Sequence, residues 1–281
     1  MSNPSNPSHR DPSDTQRLAE RFAQLPFPAS LKAVVDEFQS AVFTSSFSLE
    51  DQVILHAIAS QHLPVRVATL DTGRLFEETY QLQARSSSLY QIPIESYFPN
   101  AEAAQALLAK QGPNGFYDSV EQRLACCHVR KVEPLARALR GADVWITGIR
   151  REQSPERQYL PIVEWDATHG LHKFHPLLTM TWDEARAYVQ QHAVPVSPLH
   201  ARGFLSIGCA PCTRAVQPGE PERAGRWWWE NSEKKECGLH LKKRQSDTTP
   251  ETFDKPSRTT SQEASKETAE KQPAIDKGSD V

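Results

Sequence analysis

The chain has 281 residues, 38% of them apolar and 24% charged, with a formal net charge of −3 and 5 cysteines. Residues 14–240 are enough for one large domain with its own core, and the near-neutral charge gives no case for a nucleic-acid or membrane-surface partner. No run of about 18 apolar residues exists to span a bilayer, and MSNPSNPSHRDPSD at the N-terminus lacks a hydrophobic signal region. The expected compartment is the cytoplasm, where thiols stay reduced, so five cysteines read as metal ligands or redox groups.

Residues 1–13 are polar and proline-rich and are expected to be disordered. Amphipathic helices follow over 14–25 and 30–39, the second expected to start with Ser30 as its cap. AVFTSS, 41–46, is a short apolar strand. LEDQVILHAIASQ, 49–61, reads as a helix with Val53, Ile54, Ala57 and Ile58 on one side. Strands at 65–71 and 92–97 alternate with helices at 75–88 and 101–111. The stretch 119–140 is mostly helical and 143–148 is strand. This alternation implies an α/β fold, a mainly parallel sheet with helices on both faces, which binds ligands at the carboxyl ends of its strands. The tail, 241–281, has almost no large apolar residues to offset the entropy of ordering and is expected to be disordered.

Three strand ends are candidate ligand loops. In SSFSLEDQ, 45–52, the hydroxyls of Ser45, Ser46 and Ser48 and the backbone N–H groups of a helix start suit phosphate oxygens, and Glu50 and Asp51 complement the helix dipole. The loop has no glycine, and Phe47 and Leu49 are expected to crowd the space a pyrophosphate needs. LDTGRLFEET, 70–79, is a second strand end, a candidate nucleotide wall. TGIRREQSPERQ, 147–158, is a third, with Gly148 for close approach and Arg150, Arg151 and Arg157 for charge.

The cysteines form the pattern C-C-x81-C-x2-C from Cys126, Cys127, Cys209 and Cys212. Four thiolates suit tetrahedral zinc or a [4Fe–4S] cluster, and the adjacent pair favours iron–sulfur. Lys131 lies four residues after Cys127 on the same helical face, placed to offset a negatively charged cluster and to reach an anionic substrate. Downstream, Arg214, Arg223 and Arg226 add positive charge. Trp227, Trp228 and Trp229 cannot all face one way, so at least one is expected inside and at least one at a partner or second subunit. Cys237 sits among Lys234, Lys235 and His240, cations that raise its thiolate fraction.

Taken in order, SSFSLEDQ, LDTGRLFEETY, CCHVRKVEPL, TGIRREQSPER, SIGCAPCTR, GRWWWE and KECGLH resemble the assimilatory adenylyl-sulfate reductases of the iron–sulfur, thioredoxin-dependent type, over about 30–240. That resemblance implies an adenine-nucleotide α-hydrolase-like fold with a modified pyrophosphate loop. It implies Cys126, Cys127, Cys209 and Cys212 as ligands of a [4Fe–4S] cluster. Cys237 would be the nucleophile, carried on a mobile segment over about 227–240. The substrate contacts would be Ser45, Ser46, Ser48, Lys131, Gly148, Arg157, Arg223, Arg226 and His240. The implied reaction converts adenosine 5′-phosphosulfate to sulfite and AMP through a cysteine S-sulfonate, in sulfate assimilation and cysteine biosynthesis. The reductant would be a separate thioredoxin, since the tail has no Cys-x-x-Cys; family members are often homo-oligomers. Rival readings are a 3′-phosphoadenylyl-sulfate reductase or dual-substrate enzyme, a sulfur-inserting tRNA enzyme, and a non-catalytic zinc-binding adaptor. The four cysteines disfavour a strict 3′-phosphoadenylyl-sulfate reductase and leave dual use open, while a loop without glycines and the lack of a basic face disfavour the tRNA enzyme.

Overall fold

In the computed structural model the described residues are 11–230 and Leu239. A short 3-10 turn, Pro12–Asp14, begins within the stretch expected to be disordered and leads into α1, Thr15–Ala23, which buries Leu18 and Phe22 four residues apart. Helix α2 spans Ala29–Glu37. Ser30 is not its cap. Pro28 holds the N-cap position, the Pro26 carbonyl accepts from Ser30 N and the Pro28 carbonyl from Lys32 N. The prolines thus place the N-cap two residues earlier than expected and bury Ser30 inside the helix, its Oγ without a hydrogen-bond partner among the described residues.

Strand β1, Ala41–Ser45, is followed by α3, Leu49–Ser60, and β2, Val65–Leu70. Then come α4 at Glu77–Tyr90, β3 at Ile94–Tyr97 and α5 at Ala101–Gln111, which starts where the Asn100 side chain accepts from Ala103 N. Helix α6, Val120–Cys127, runs into a π turn, His128–Val132, and then α7, Glu133–Ala138. Pro134 explains the π turn: it lacks the N–H that an α-helix needs there, and its ring would strike the Arg130 carbonyl. Strand β4 is Val144–Ile146.

Two further strands, β5 at Val163–Asp166 and β6 at Leu171–Phe174, and helix α8 at Trp182–Gln191 complete the fold. None of these three was expected from the sequence. The β6 sequence, LHKF, has no apolar alternation, yet all four residues are buried. Its Lys173 is compensated by Glu164 at 3.2 Å and by the Trp145 ring at 4.9 Å.

The sheet order is β3-β2-β1-β4-β6-β5, parallel throughout except for the antiparallel β5–β6 edge. Alternate residues of one strand serve opposite faces. Ala41 and Phe43 join a cluster with α1, α2, α3 and α8, while Val42 joins Trp145, Leu135, Ala138 and Leu139 on the α7 side. Each large side chain so buried stabilises the fold by about 1.5–3 kcal/mol. Helix α3 is buried over most of its circumference, including Leu49 and Leu55, which makes the one-sided reading too narrow. Its Gln52 and Ser86 of α4 hydrogen-bond at 2.9 Å, so polar residues inside are matched. No helix among the described residues is long and apolar enough to cross a membrane.

Candidate active-site cleft and cysteine cavity

Chain order reverses between β1 and β4: β1 leads outward to β2 on one side, and β4 lies on the other. Such a switch point leaves a crevice at the strands' carboxyl ends. A cleft of about 1150 Å³, counting the part open to solvent, lies there. It is walled by the ends of β1 (Ser45, Ser46, Ser48), β2 (Thr69, Thr72) and β4 (Thr147, Gly148, Arg157). Lys131, the Leu205–Gly208 strip, Arg223, Arg226, Trp227 and Leu239 close it. All eight described residues expected to contact substrate therefore meet in one cleft. Cys237 and His240 lie outside the described residues, but Leu239 between them lines this cleft and packs against the Trp145 side of the core.

The loop after β1 spends its donors internally. Asp51 accepts from Ser46 N at 2.5 Å and from Ser46 Oγ at 2.7 Å, and Phe47 N donates to Ser45 Oγ at 3.1 Å. Asp51 thus lies in the first turn of α3, as expected, and also clamps the loop. Burial pushes its carboxyl up to about 6, against the hydrogen bonds from Ser46. Gly148 is needed for this carboxylate, since a Cβ there would collide with Asp51 Oδ1. Phe47 and Leu49 do not crowd the cleft. The left-handed backbone at Phe47 (φ 59°) turns it away, and both side chains are buried outside the cleft lining.

The arginines at the third strand end divide. Arg150 is fully buried, with Nε 2.8 Å from Glu50, Nη2 2.7 Å from Glu222 and Nη1 3.3 Å from Glu152. Arg151 is exposed and donates to the Leu160 carbonyl at 3.3 Å. Only Arg157, buried and hydrogen-bonded to Gln153, faces the cleft. Arg214 likewise pairs with Glu220 at 2.8 Å and is absent from the cleft lining. The acidic wall, Glu50 and Glu222, was not anticipated. Burial, with Glu50 beside it, holds the Glu222 carboxyl above its ordinary range. A run of like-charged residues signals surface charge, and nothing in the sequence marked Arg150 as the counter-ion of two distant glutamates.

The four cysteines converge on a second void of about 320 Å³, again counting space open to solvent. Cys126 and Cys127 come from the end of α6, and Cys209 and Cys212 from the 3-10 turn Ala210–Cys212 and its N-cap. All four are free thiols, three of them buried. Arg74, Arg123, Arg130 and Lys131 share the wall. Lys131 lines both this void and the cleft. Burial pushes the Cys126 thiol up and Cys212 up to about 12, the latter with help from Cys209. Burial opposes ionisation of Cys209 too, but Lys131, the Thr72 hydroxyl at 3.3 Å and Arg226 hold it below the usual thiol range. Among the described residues no three His, Cys, Asp or Glu side chains are gathered for a single metal ion. Zinc at about 2.3 Å from each sulfur would draw four sulfurs to about 3.8 Å from one another. Thiols spread around a void fit a multi-iron cluster with one thiolate per iron, and the surrounding cations fit its negative charge.

Of the tryptophan run, Trp227 is 1% exposed, Trp229 half-buried and Trp228 39% exposed. Trp228 and Trp229 join Tyr117 and Phe116 in an aromatic cluster beside the cysteines. Glu230 follows, held by Arg123 of α6 in a buried bidentate pair at 2.7 and 2.9 Å.

The phosphoadenosine phosphosulfate reductase domain profile matches residues 40–215. The chain is 51% identical to an adenosine 5′-phosphosulfate reductase of Sinorhizobium fredii (strain USDA 257), covering 81% of this chain and 91% of that one. It is 56% identical to another so named from Rhizobium meliloti (strain 1021), covering 72% and 76%. Among solved structures, a phosphoadenylyl-sulfate reductase from Candida auris in a phosphate complex aligns with a TM-score of 0.63 at 27% identity, over 73% of this chain and 98% of that one.

Proposed function

Because the chain belongs to the phosphoadenosine phosphosulfate reductase domain family, we propose that it reduces adenosine 5′-phosphosulfate to sulfite and AMP in sulfate assimilation. The observation that carries the reading is Lys131, which stands in the wall common to the nucleotide cleft and the cysteine cavity. A lysine so placed serves an anionic substrate on one side and a thiolate-ligated group on the other.

The cleft binds and orients. Adenosine lies against the strand ends, and the phosphosulfate points to Lys131, Arg223 and Arg226, whose charges stabilise the leaving phosphate oxygen. A loop that turns Ser46 and Phe47 N–H inward leaves fewer donors to wrap a pyrophosphate, which agrees with a product that is AMP. The Cys237 thiolate attacks the sulfuryl sulfur, forming a sulfur–sulfur bond while the sulfur–oxygen bond to the phosphate breaks and AMP leaves with the electron pair. A thiolate of reduced thioredoxin then attacks the Cys237 sulfur, releasing sulfite. Its second thiol resolves the mixed disulfide, so the dithiol supplies both electrons. His240, next to Leu239 at the cleft, is the further phosphosulfate contact. Cys126, Cys127, Cys209 and Cys212 would hold a [4Fe–4S] cluster, which supplies a fixed negative charge near Lys131 rather than a route for electrons. Free thiols throughout the described residues suit a reducing, cytoplasmic setting. The exposed Trp228 offers a contact for a second copy.

Sulfite release from adenosine 5′-phosphosulfate and its 3′-phosphorylated form, with reduced thioredoxin, tests the reading. Wild type is expected to turn over the former and Cys237→Ser neither. Turnover confined to the 3′-phosphorylated nucleotide would overturn the substrate assignment.

A further inference from the structure

Trp227 sits in the cleft wall in a conformation that carries two costs. Its backbone is left-handed, φ 43°, in a residue with a Cβ, and its buried Nε1 has no hydrogen-bond partner among the described residues. Such costs persist only where surrounding structure imposes them, and they concentrate at functional sites. What holds it is specific. Trp227 N donates to the Cys212 carbonyl at 3.2 Å, Glu230 N donates back to the Trp227 carbonyl at 2.9 Å, and Thr213 bridges to Arg226.

The ring collects cations. The guanidinium carbons of Arg123, Arg226 and Arg223 lie 4.7, 4.9 and 6.0 Å from its centroid. Arg123 is already matched by Glu230. Arg226 and Arg223 line the cleft with Trp227 itself. Gly208 lies against the terminal nitrogens of Arg226, where any Cβ would collide with the guanidinium. A planar guanidinium with an indole and a close peptide beside it is more restricted than an ammonium on a flexible stem.

We propose that Trp227 is a positioning residue for this reaction: its indole fixes the Arg226 and Arg223 guanidinium groups at the anion-binding end of the cleft. The inference rests on the function proposed above, and it assigns Trp227 no contact with the reacting atoms. Preorganised charge costs no reorganisation when the phosphosulfate arrives. Trp227→Leu removes the π face from both arginines. Trp227→Phe keeps a π face and removes the orphaned donor, so it folds and substitutes in part.

The test measures binding by calorimetry in a Cys237→Ser background, where adenosine 5′-phosphosulfate stays intact, with adenosine as the uncharged control. Trp227→Leu is expected to weaken phosphosulfate binding about tenfold, equivalent to about 1.4 kcal/mol, with adenosine unchanged within about twofold. Trp227→Phe recovers most of the loss. In an Arg226→Lys background the leucine substitution has a smaller further effect than in wild type, because only Arg223 is left for the ring to hold. The visible absorption of the protein as isolated stays the same in both tryptophan variants. Equal weakening of both ligands, or full additivity with Arg226→Lys, overturns the proposal by showing a structural role alone. Unchanged phosphosulfate binding in Trp227→Leu also overturns it. If wild type itself does not prefer phosphosulfate over adenosine, the functional reading fails instead.

Discussion

The two ends of the cleft solve opposite electrostatic problems. At the β1 end, polar groups are matched inside the protein: Asp51 takes the neutral Ser46 donors, and Arg150 takes Glu50 and Glu222. At the cysteine end, Arg130, Lys131 and Arg226 act on thiol sulfur, and Arg223 and Arg226 lie over an indole. A self-compensated end gives shape without demanding an anion. An end whose cations face thiols and a π ring favours a bound negative charge. That difference suits the proposed substrate, whose neutral nucleoside would lie at the first end and whose phosphosulfate would lie at the second.

The most damaging way to break this contrast is to remove the hub of the compensated end. Arg150→Met leaves Glu50 and Glu222 buried without their cation, and is expected to cost about 3–5 kcal/mol of unfolding stability, measured by urea denaturation. An unchanged midpoint would mean that the end is not electrostatically closed. At the other end, Lys131→Ala should leave the unfolding midpoint nearly unchanged and lower kcat/KM by about 100- to 1000-fold, as for loss of one transition-state charge contact. It should also alter the visible or paramagnetic spectrum of the proposed cluster, since Lys131 lines both cavities. Unaltered spectra would separate the two cavities electrostatically.

A subtler test uses pH. Burial lowers His175 to about 4, so it folds neutral, its Nδ1 2.7 Å from Thr147 Oγ1 at the cleft. Its contribution is present above the unfolded value of about 6.5 and is lost as pH falls through about 4. Burial alone would raise Glu164, but hydrogen bonds from His175 and Lys173 hold it at about 2, and its contribution is lost at still lower pH. Asp51, raised to about 6, has the opposite sign: its contribution is complete below about 3.8 and is lost as pH rises through 6. Between pH 6.5 and 4 the two largely offset. His175→Asn should therefore gain stability relative to wild type steadily over that range, by about 3 kcal/mol at most. Asp51→Asn should steepen the acid loss. Parallel pH profiles for all three proteins would contradict these assignments. The smallest expected effect is Ser30→Ala. Removing a buried hydroxyl with no partner should be neutral or stabilise by up to about 1 kcal/mol, whereas a helix cap would cost about that much.

The site was legible where residue type and spacing are themselves the chemistry. Four cysteines in a fixed pattern, a lysine four residues on, and serines and a glycine at strand ends all arrive in one cleft or its neighbour. The parallel core was legible from apolar strands alternating with helices. What escaped depends on partners distant in sequence. β6 is a strand because Glu164 and Trp145 make Lys173 tolerable inside, which LHKF alone does not announce. Arg150 looks like surface charge until Glu50 and Glu222 are seen around it. Helix α8 was findable, since Thr181 and Glu184 form a capping box before its apolar positions. Ser30 misled because a serine before an apolar run is an ordinary cap signal, and two upstream prolines overrode it.

The central claim is covalent: Cys237 takes the sulfuryl group before any reductant acts. Mixing the protein with adenosine 5′-phosphosulfate without thioredoxin, followed by peptide mass analysis, tests it directly. A gain of about 80 Da, one SO₃ group, on the peptide containing Cys237, removed on adding reduced thioredoxin with release of sulfite, is the predicted result. An adduct on another cysteine, or turnover that persists in Cys237→Ser, would contradict it.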